Sequence, residues 1–355
     1  MFRFRRIFVA TLGCVALATG SSLAQGASPP GEPICEFRDA DAQWVQRALD
    51  GWELVRRDFL KLEPRPLPWI ILFDAACVWD LAPAEPPLVP DATMLSTSLT
   101  FAGGPVSVRA TPHTGTVLLP NRVEIPIEVK ASTALYRNGR ATFFVMSMPS
   151  VWRSDRRHGT KPFLDEYLQG VFVHELTHTA QLVPINRRLR QLVGRSDVPA
   201  QLTDDVIQAR FSHQRGFGRA IQRERDQFYR AIATSNPALQ RDLVRKTLAL
   251  VRDRHARYFT QANEVYEEIE SLFLTMEGAA QWAAYRLARA RGRAQQAPQL
   301  ALNLVRDDSR YWSQEQGLAL FLLLDALVPN WQDRVMTRIP PSPFALLEEA
   351  VSSTQ

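Results

Sequence analysis

The sequence predicts an α+β fold, in which a mixed N-terminal lobe is followed by a mainly helical C-terminal lobe. Three observations favour it. Short apolar runs bounded by prolines and turn residues, which are typical of strands, fill the region from Thr93 to Trp152. Helical spacing of apolar residues dominates after Phe163. A stretch of helical length with two histidines, residues 163–183, lies at the junction of the two lobes.

The first element, residues 1–24, has the composition of a secretory signal. Three arginines precede an apolar run from Ile7 to Ala18, and the small residues Ser22 and Ala24 follow. This pattern predicts cleavage after Ala24 and a periplasmic or secreted protein. The apolar run is too short to cross ~30 Å of hydrocarbon as a transmembrane anchor.

Charge gives no reason to expect a nucleic-acid partner. Removal of residues 1–24 removes Arg3, Arg5 and Arg6 and no acidic residue, so the formal net charge falls by three, from +5 to +2. The densest basic stretch, residues 186–195, is explained equally well as a solvated helix face.

The cysteines leave two alternatives open. Cys14 departs with the signal, so that Cys35 and Cys77 remain. An exported chain with two cysteines can close one disulfide, or it can bury both as free thiols. Two cysteines are too few for a cysteine-based metal site.

The N-terminal lobe, residues 25–162, should contain a helix from Asp41 to about Leu62, where apolar residues recur at helical spacing. Residues 68–74 form an apolar run with strand character. Asn138–Gly139 between two strand-like runs predicts a hairpin with a two-residue type I′ turn. Its second arm, residues 141–148, ends shortly before the histidine-bearing helix.

The C-terminal lobe, residues 163–340, should be helical throughout. Pro184 is expected to stop its first helix. A long helix is predicted around residues 265–290. The very apolar run 317–328 is short and contains Asp325, so it predicts a buried core helix, and no membrane span is expected once the signal is removed.

The motif that carries chemistry is HELTH, residues 174–178. Residues four apart share one helix face, so His174 and His178 can both bind one metal ion. Glu175 is rotated off that face, where it can hold a water molecule in the open position of the metal and take its proton. The motif therefore predicts a hydrolytic zinc site with Glu175 as general base.

Two properties make the motif informative. A chance HExxH is improbable in a chain with only six histidines, on the order of one in a hundred or less. Apart from Glu175, residues 171–180 carry no acidic or basic side chain besides the two histidines, as a buried active-site helix requires. The alternative is a core helix with histidines satisfied by neighbours, which is disfavoured because burying two imidazoles and a carboxylate without a metal is costly.

A catalytic zinc takes three protein ligands, and HELTH supplies two. No third histidine stands at the short downstream spacing of an HExxHxxGxxH site, since residue 184 is proline; the other histidines are His113, His158, His213 and His255.

A glutamate is the other option, and Glu277 stands in an otherwise uncharged stretch, residues 271–285. The small residues after it would allow close packing against the HELTH helix. Glu270 and Glu264 are rivals in a more charged stretch that is typical of a solvated face. Alternatively, Glu277 forms an ion pair with an arginine.

HELTH together with EGAAQWAAY (277–285) resembles the gluzincins, the glutamate-type zinc metallopeptidases. The resemblance implies a zincin-like fold, one zinc ion bound by His174, His178 and Glu277, and Glu175 as general base. Two departures stand out. Ninety-nine positions separate His178 from Glu277, which requires a helical insertion at about 186–260. Gln281 occupies a position where thermolysin-like members have an aspartate that supports a metal-bound histidine.

An oxyanion donor is also needed. Tyr311, which opens a helical segment after the ligand helix, is the candidate, because relatives often use a tyrosine or histidine there. Tyr285 and His213 are alternates, and an ordinary packing role for Tyr311 is the competing interpretation.

The strand 141–148 has a role in the same resemblance. In zincins a strand before the metal helix borders the cleft and pairs with the substrate backbone, so we expect an edge strand here. Met146 and Met148 are expected in the core.

These expectations combine into an exported zinc metallopeptidase that acts on a peptide or protein substrate. Two alternatives stay open: a catalytically idle zinc-binding envelope protein that recognises a partner, and a zinc amidase acting on a non-peptide or cell-wall amide. The oligomeric state and the cleavage specificity have no signature in the sequence.

Overall fold

The computed structural model describes residues 35–84, 92–136, 139, 141–199, 202–291, 297–306 and 311–352. The predicted signal, residues 1–24, lies outside the described residues, as does Asn138 of the predicted turn. A sheet region comes first and a mostly helical region follows, which confirms the α+β class.

The chain falls into two compact units. We call them the sheet unit, described residues up to 57 and 62–179, and the helical unit, residues 58–61 and the described residues from 180 onwards. The sequence suggested a boundary between residues 162 and 163. The division instead follows Thr179, in the middle of a helix.

The sheet unit is built on ten described strands. They are β1 (Trp69–Phe73), β2 (Cys77–Leu81), β3 (Thr93–Leu95), β4 (Thr100–Phe101), β5 (Gly104–Pro105), β6 (Val108–Pro112), β7 (Thr116–Leu118), β8 (Glu124–Pro126), β9 (Ala131–Leu135) and β10 (Thr142–Ser147). Six of them form one sheet in the order β3-β6-β2-β1-β10-β9. Only β1 and β10 pair in parallel; the other neighbours are antiparallel.

Strand β1 has the continuous apolar sequence WIILF, and all five residues are buried. This is the pattern of a central strand covered on both faces. One face packs in a core cluster with Phe143 and Val145 of β10 and Ala134 of β9. The predicted strand at 68–74 is thereby confirmed.

Among the described residues, two α-helices of the sheet unit precede the histidine-bearing helix: α1 (Asp39–Leu54), which continues into a π-helical turn (Val55–Phe59), and α2 (Pro149–Ser154). The predicted helix from Asp41 to about Leu62 is confirmed apart from its ends. Just before α1, Cys35 forms a disulfide with Cys77 of β2, with a Cα–Cα distance of 5.7 Å. The pairing settles the alternative between a disulfide and two free thiols.

The hairpin between β9 and β10 forms, as predicted, and its predicted turn falls partly on Asn138, outside the described residues. The Gly139 N–H donates to the Tyr136 carbonyl at 2.8 Å, and the Tyr136 N–H donates to the Ala141 carbonyl at 2.9 Å. Gly139, in the connection between the two strands, has a φ of 65°. Glycine is favoured there because it adopts this left-handed conformation without steric cost.

Strand β10 is not an edge strand, which corrects the expectation for residues 141–148. It pairs with β1 on one side and β9 on the other, and all six of its residues are buried. A mostly apolar sequence such as TFFVM gains more from a central position than from an edge. The edge on this side of the sheet is β9. Met146 and Met148 are buried, as expected for core residues.

Besides a 3-10 helix at Gln261–Asn263, the helical unit contains the remaining α-helices of the described residues. They are α3 (Leu164–Val193), shared with the sheet unit, α4 (Val206–Phe211), α5 (Arg215–Ile232), α6 (Pro237–Tyr258), α7 (Val265–Ala290), α8 (Pro298–Val305), α9 (Trp312–Leu327), α10 (Trp331–Val335) and α11 (Pro343–Ser352). The described residues of the region 186–260 are thus mostly helical, as predicted. Helix α9 has the buried core predicted for 317–328, and no helix among the described residues has the length and apolarity of a membrane span.

Pro184 does not stop its helix, contrary to the prediction. It lies inside α3, which continues to Val193. Proline has no N–H for the carbonyl four residues earlier and costs about 3 kcal/mol in a helix interior. Burial of four apolar side chains beyond or beside it offsets that cost at ~1.5–3 kcal/mol each; they are Leu182, Ile185, Leu189 and Leu192.

Candidate metal centre

His174 and His178 lie one turn apart in the buried middle of α3. Their side chains face each other, with the two Nε2 atoms 3.0 Å apart and the rings nearly perpendicular. Two nitrogens bound to one tetrahedral zinc ion at 2.0–2.1 Å would be separated by ~3.3 Å. The spacing of the two imidazoles is therefore close to that of a ligand pair.

Glu277 of α7 completes a group of three. One ligand atom from each of His174, His178 and Glu277 lies within 4.8 Å of the other two, and all three residues are buried. Two imidazole nitrogens and a carboxylate oxygen are Lewis bases that bind divalent metals. The His174–His178–Glu277 group could therefore hold a metal ion, and it unites the three residues that the sequence predicted as ligands.

The sequence of α3 explains why this helix is buried around the histidines. Phe172, Val173 and Leu176 have no exposed surface. The Phe172 ring packs edge-on against Phe144 of β10 and Trp44 of α1, with centroid distances of 5.2 and 6.0 Å. Apolar residues on several faces thus anchor the helix that carries the histidines.

Glu175 is 5% exposed and is not part of the three-residue group. This agrees with its position one residue, about 100° of rotation, away from the face of His174. The Thr133 hydroxyl of β9 lies 2.9 Å from Glu175 Oε2 and 2.7 Å from its backbone carbonyl oxygen.

Helix α7 is fixed next to its ligand residue by two contacts. The Gln181 side chain of α3 donates to the Met276 carbonyl at 3.3 Å. On the other side, Gly278 lies directly against Gly317 of α9, so that a Cβ at 278 would come within 2.7 Å of the Gly317 carbonyl oxygen. The glycine after Glu277 thus permits the approach of α9, a partner that the sequence did not suggest.

The Gln281 side chain is hydrogen-bonded to another amide. Its Nε2 donates to Gln314 Oε1 of α9 at 3.1 Å. The contact links α7 to α9 one turn beyond Glu277.

The rival Glu270 is buried in an ionic network, which corrects the interpretation of its segment as a solvated face. Arg254 of α6 donates to both oxygens of Glu270 and to both oxygens of Glu224 at 2.8–3.1 Å. His255 Nε2 lies 2.7 Å from Glu270, and Gln316 donates to Glu224 at 2.9 Å. A guanidinium partner makes Glu270 a structural residue. Glu264, by contrast, is exposed, as expected.

The two carboxyls of this network shift in opposite directions. Burial raises the pKa of Glu224, and the charge of Arg254 only partly opposes it. Burial acts on Glu270 as well, but Arg254 and the hydrogen bond from His255 together outweigh it and lower the pKa of Glu270. Glu270 is therefore ionised at neutral pH.

The other four histidines have environments outside the three-residue group. His158 Nδ1 contacts Asp155 at 2.6 Å, His113 Nε2 contacts the Asp74 carbonyl at 3.0 Å, His255 contacts Glu270, and His213 is exposed. The carboxylate is therefore the third member of the group, as the sequence favoured.

The predicted oxyanion donor Tyr311 is half-buried and immediately precedes α9. Of the two alternates, Tyr285 is partly buried and packs beside Ala288 and Ala301, and His213 is exposed in the segment between α4 and α5. None of the three belongs to the His174–His178–Glu277 group.

Sequence reasoning missed Thr133 and Arg254. Thr133 lies in a short strand whose sequence, ASTAL, has no motif. Arg254 is one of many arginines in the sequence. In the structure it is buried, and its guanidinium carbon lies 5.0 and 5.6 Å from the ring centroids of Phe217 and Phe259. In the sequence, only its place between the apolar positions of α6 could have indicated that Arg254 is buried.

Comparison with known proteins adds no relative. No family model matches this chain, and neither a curated protein nor a solved structure is significantly similar to it. The assignment of function therefore depends on the chemistry of the three-residue group and of Glu175.

Proposed function

We propose that this chain is an exported zinc-dependent metallopeptidase of gluzincin type, with Glu175 as general base. The observation that supports it is the buried His174–His178–Glu277 group with a second carboxylate, Glu175, adjacent in sequence to one of its histidines. Structural zinc sites are usually closed by four protein ligands, and catalytic sites use three. Three ligands therefore favour a catalytic site.

Zinc is the metal that we propose for this donor set. Two imidazoles and one carboxylate are the ligands of several hydrolytic zinc enzymes, whereas calcium and magnesium prefer oxygen ligands alone. When bound, a zinc ion would acidify a water molecule and polarise a substrate carbonyl.

The role proposed for Glu175 is proton transfer. Its carboxylate accepts a proton from the water that attacks the scissile carbonyl, and the same carboxyl then delivers this proton to the leaving amine. The peptide bond is broken and one water molecule is consumed. The half-buried Tyr311 is proposed to donate its hydroxyl proton in a hydrogen bond to the developing oxyanion.

Export is part of the proposal. It is supported by the composition of residues 1–24 and by the Cys35–Cys77 disulfide, because such bonds persist mainly in oxidising compartments. A periplasmic or secreted location follows.

The test is the variant Glu175→Gln, which keeps the size of the side chain and removes its basicity. We expect one equivalent of zinc in both the wild type and the variant, and a loss of peptide hydrolysis by ~10²–10⁴-fold in the variant. Metal content is measured by elemental analysis, and cleavage by mass spectrometry of a peptide library. Glu264→Gln, at an exposed acid of the same charge, serves as the matched control and should remain active.

The outcomes separate the alternatives. Zinc-loaded wild type that cleaves no peptide, but releases amines from a cell-wall fraction in a Glu175-dependent manner, would favour the amidase. A zinc-loaded protein without either activity, whose cellular role survives Glu175→Gln, would favour the idle binding protein. A wild type that binds no zinc contradicts all three.

A further inference from the structure

The Thr133 hydroxyl makes two contacts with one residue of the proposed catalytic machinery. It lies 2.7 Å from the backbone carbonyl oxygen of Glu175 and 2.9 Å from its side-chain Oε2. Thr133 is 1% exposed and Glu175 is 5% exposed, so both contacts are shielded from water. Thr133 thus touches the residue that we propose as general base.

The register between the sheet and α3 explains why these two residues meet. Thr133 and Phe144 are direct cross-strand partners, so their side chains point to the same face of the sheet. Phe144 packs on Phe172, and Thr133 contacts Glu175, one helical turn further along α3.

A third contact joins the same face of the sheet to α3. The Thr142 hydroxyl, on the same face two residues before Phe144, donates to the Thr179 carbonyl at 3.3 Å. Contacts at residues 172, 175 and 179 of α3 thus follow one helix face. The sheet holds this part of the helix at a defined position, and Glu175 is the central contact.

The Thr133 hydroxyl can donate a hydrogen bond of defined direction to the Glu175 carboxylate. A threonine hydroxyl has one proton, whereas a backbone carbonyl and an ionised carboxylate only accept. Because a charged acceptor forms the stronger hydrogen bond, the proton is directed to Oε2 when Glu175 is ionised. The β-branch of threonine restricts χ1, so the oxygen has little freedom to leave this position.

We propose that Thr133 is a positioning residue for the general base: its hydroxyl holds Oε2 of Glu175 and thereby fixes the orientation of the carboxyl group during proton transfer. This inference rests on the proposed function. It predicts that loss of the hydroxyl slows turnover without removing zinc or weakening substrate binding, because a misplacement of ~1 Å at a reacting group can cost up to about 10²-fold in rate.

The decisive variants are Thr133→Val, which keeps the shape and removes the hydroxyl, and Thr133→Ser, which keeps the hydroxyl. We expect kcat of Thr133→Val to fall by about 10–100-fold, with KM within about twofold and a full equivalent of zinc, while Thr133→Ser restores most of the activity. Ser132→Ala is the matched control, because this neighbouring hydroxyl is also buried but points to the opposite face of the sheet.

A second readout is independent of catalysis. In the metal-free protein, Thr133→Val should lower Tm by ~2–4 °C. The same substitution in a Glu175→Ala background should cost less, because only the neutral hydrogen bond to the backbone carbonyl of residue 175 is then lost. Equal costs in both backgrounds would show that the side-chain contact is not formed.

The failures of the two proposals differ. If Glu175→Gln is inactive but Thr133→Val keeps kcat within twofold of the wild type, the positioning role is wrong and the peptidase stands. It is equally wrong if Thr133→Ser is as slow as Thr133→Val, or if Thr133→Val loses its zinc. If Glu175→Gln with bound zinc remains fully active, the proposed function falls and the role of Thr133 falls with it.

Discussion

Helix α7 carries two buried glutamates, Glu270 and Glu277, which lie seven residues or ~10 Å apart along the helix and have opposite surroundings. Glu270 faces the Arg254 guanidinium and His255, and is 2% exposed. Glu277 is fully buried and lies with His174 and His178, within 4.8 Å between ligand atoms. One carboxylate is surrounded by hydrogen-bond donors and positive charge, and the other by further Lewis bases.

This difference separates a structural carboxylate from one that could bind a metal ion. A guanidinium donates several hydrogen bonds in a fixed plane and satisfies a buried carboxylate by itself. Imidazole nitrogens are Lewis bases, as the carboxylate is, and a divalent cation is a partner that all three groups can share. The neighbours of a buried glutamate thus indicate its role better than its burial does.

The largest effect should come from Arg254→Met, which leaves Glu224 and Glu270 buried with their common cation removed. Breaking a buried ion pair by removing one partner costs about 3–5 kcal/mol, so we expect the free energy of unfolding to fall by that amount. Chemical denaturation monitored by tryptophan fluorescence measures it.

Arg252→Met is the matched control for this measurement. Arg252 lies on the same helix and pairs with Glu348 at 2.6 Å, but its side chain is 61% exposed. An exposed pair contributes ~0.2–1 kcal/mol. Equal destabilisation by the two substitutions would contradict the structural role of Arg254.

Glu277→Gln should act on the metal. Replacing a carboxylate ligand by a neutral amide is expected to weaken zinc binding at least a hundredfold, or ~3 kcal/mol. Competition with a chromophoric chelator gives the dissociation constant. Glu270→Gln, at the other buried glutamate of the same helix, should bind zinc as the wild type does. A comparable loss of affinity in both variants would remove the distinction between the two glutamates.

The smallest expected effect is the pH dependence of the unfolding free energy that the ionisation of Glu270 causes. Arg254 and His255 outweigh burial and lower the pKa of Glu270 from its ordinary value of 4.5. A lowered folded-state pKa gives stability that is present above the unfolded value and is lost as the pH falls through the folded one. The difference in unfolding free energy between the wild type and Glu270→Gln should therefore be largest near pH 7 and shrink below about pH 4. A difference that is constant between pH 7 and pH 3 would contradict this ionisation.

Features with a short-range signature could be predicted from the sequence. The spacing of His174 and His178 places both on one helix face whatever the rest of the chain does. Glu277 was distinguished by the absence of neighbouring charge, and its helix by periodicity. The strand at 69–73 was also indicated, because its apolar run is short, follows a proline and is rich in β-branched and aromatic residues.

Features that depend on distant partners could not be predicted. The interior position of β10 arises from pairing with β1, more than sixty residues earlier. Pro184 has a strong local tendency to end a helix, but burial of its neighbours outweighs it. Glu270 has a charged sequence environment, and only the approach of α6 reveals Arg254 as its partner. In each case, tertiary contacts decided against the local pattern.

The continuity of α3 across the division after Thr179 has a practical consequence for dissecting the protein. A recombinant fragment that begins at residue 163 would carry Phe172 without Trp44 and Phe144, the rings that cover it in the whole chain. A fragment that ends at residue 162 would leave the complementary rings open to water. Either half would expose aromatic surface and be prone to aggregation, so deletion studies of this protein call for point substitutions or full-length expression in place of truncation at the start of α3.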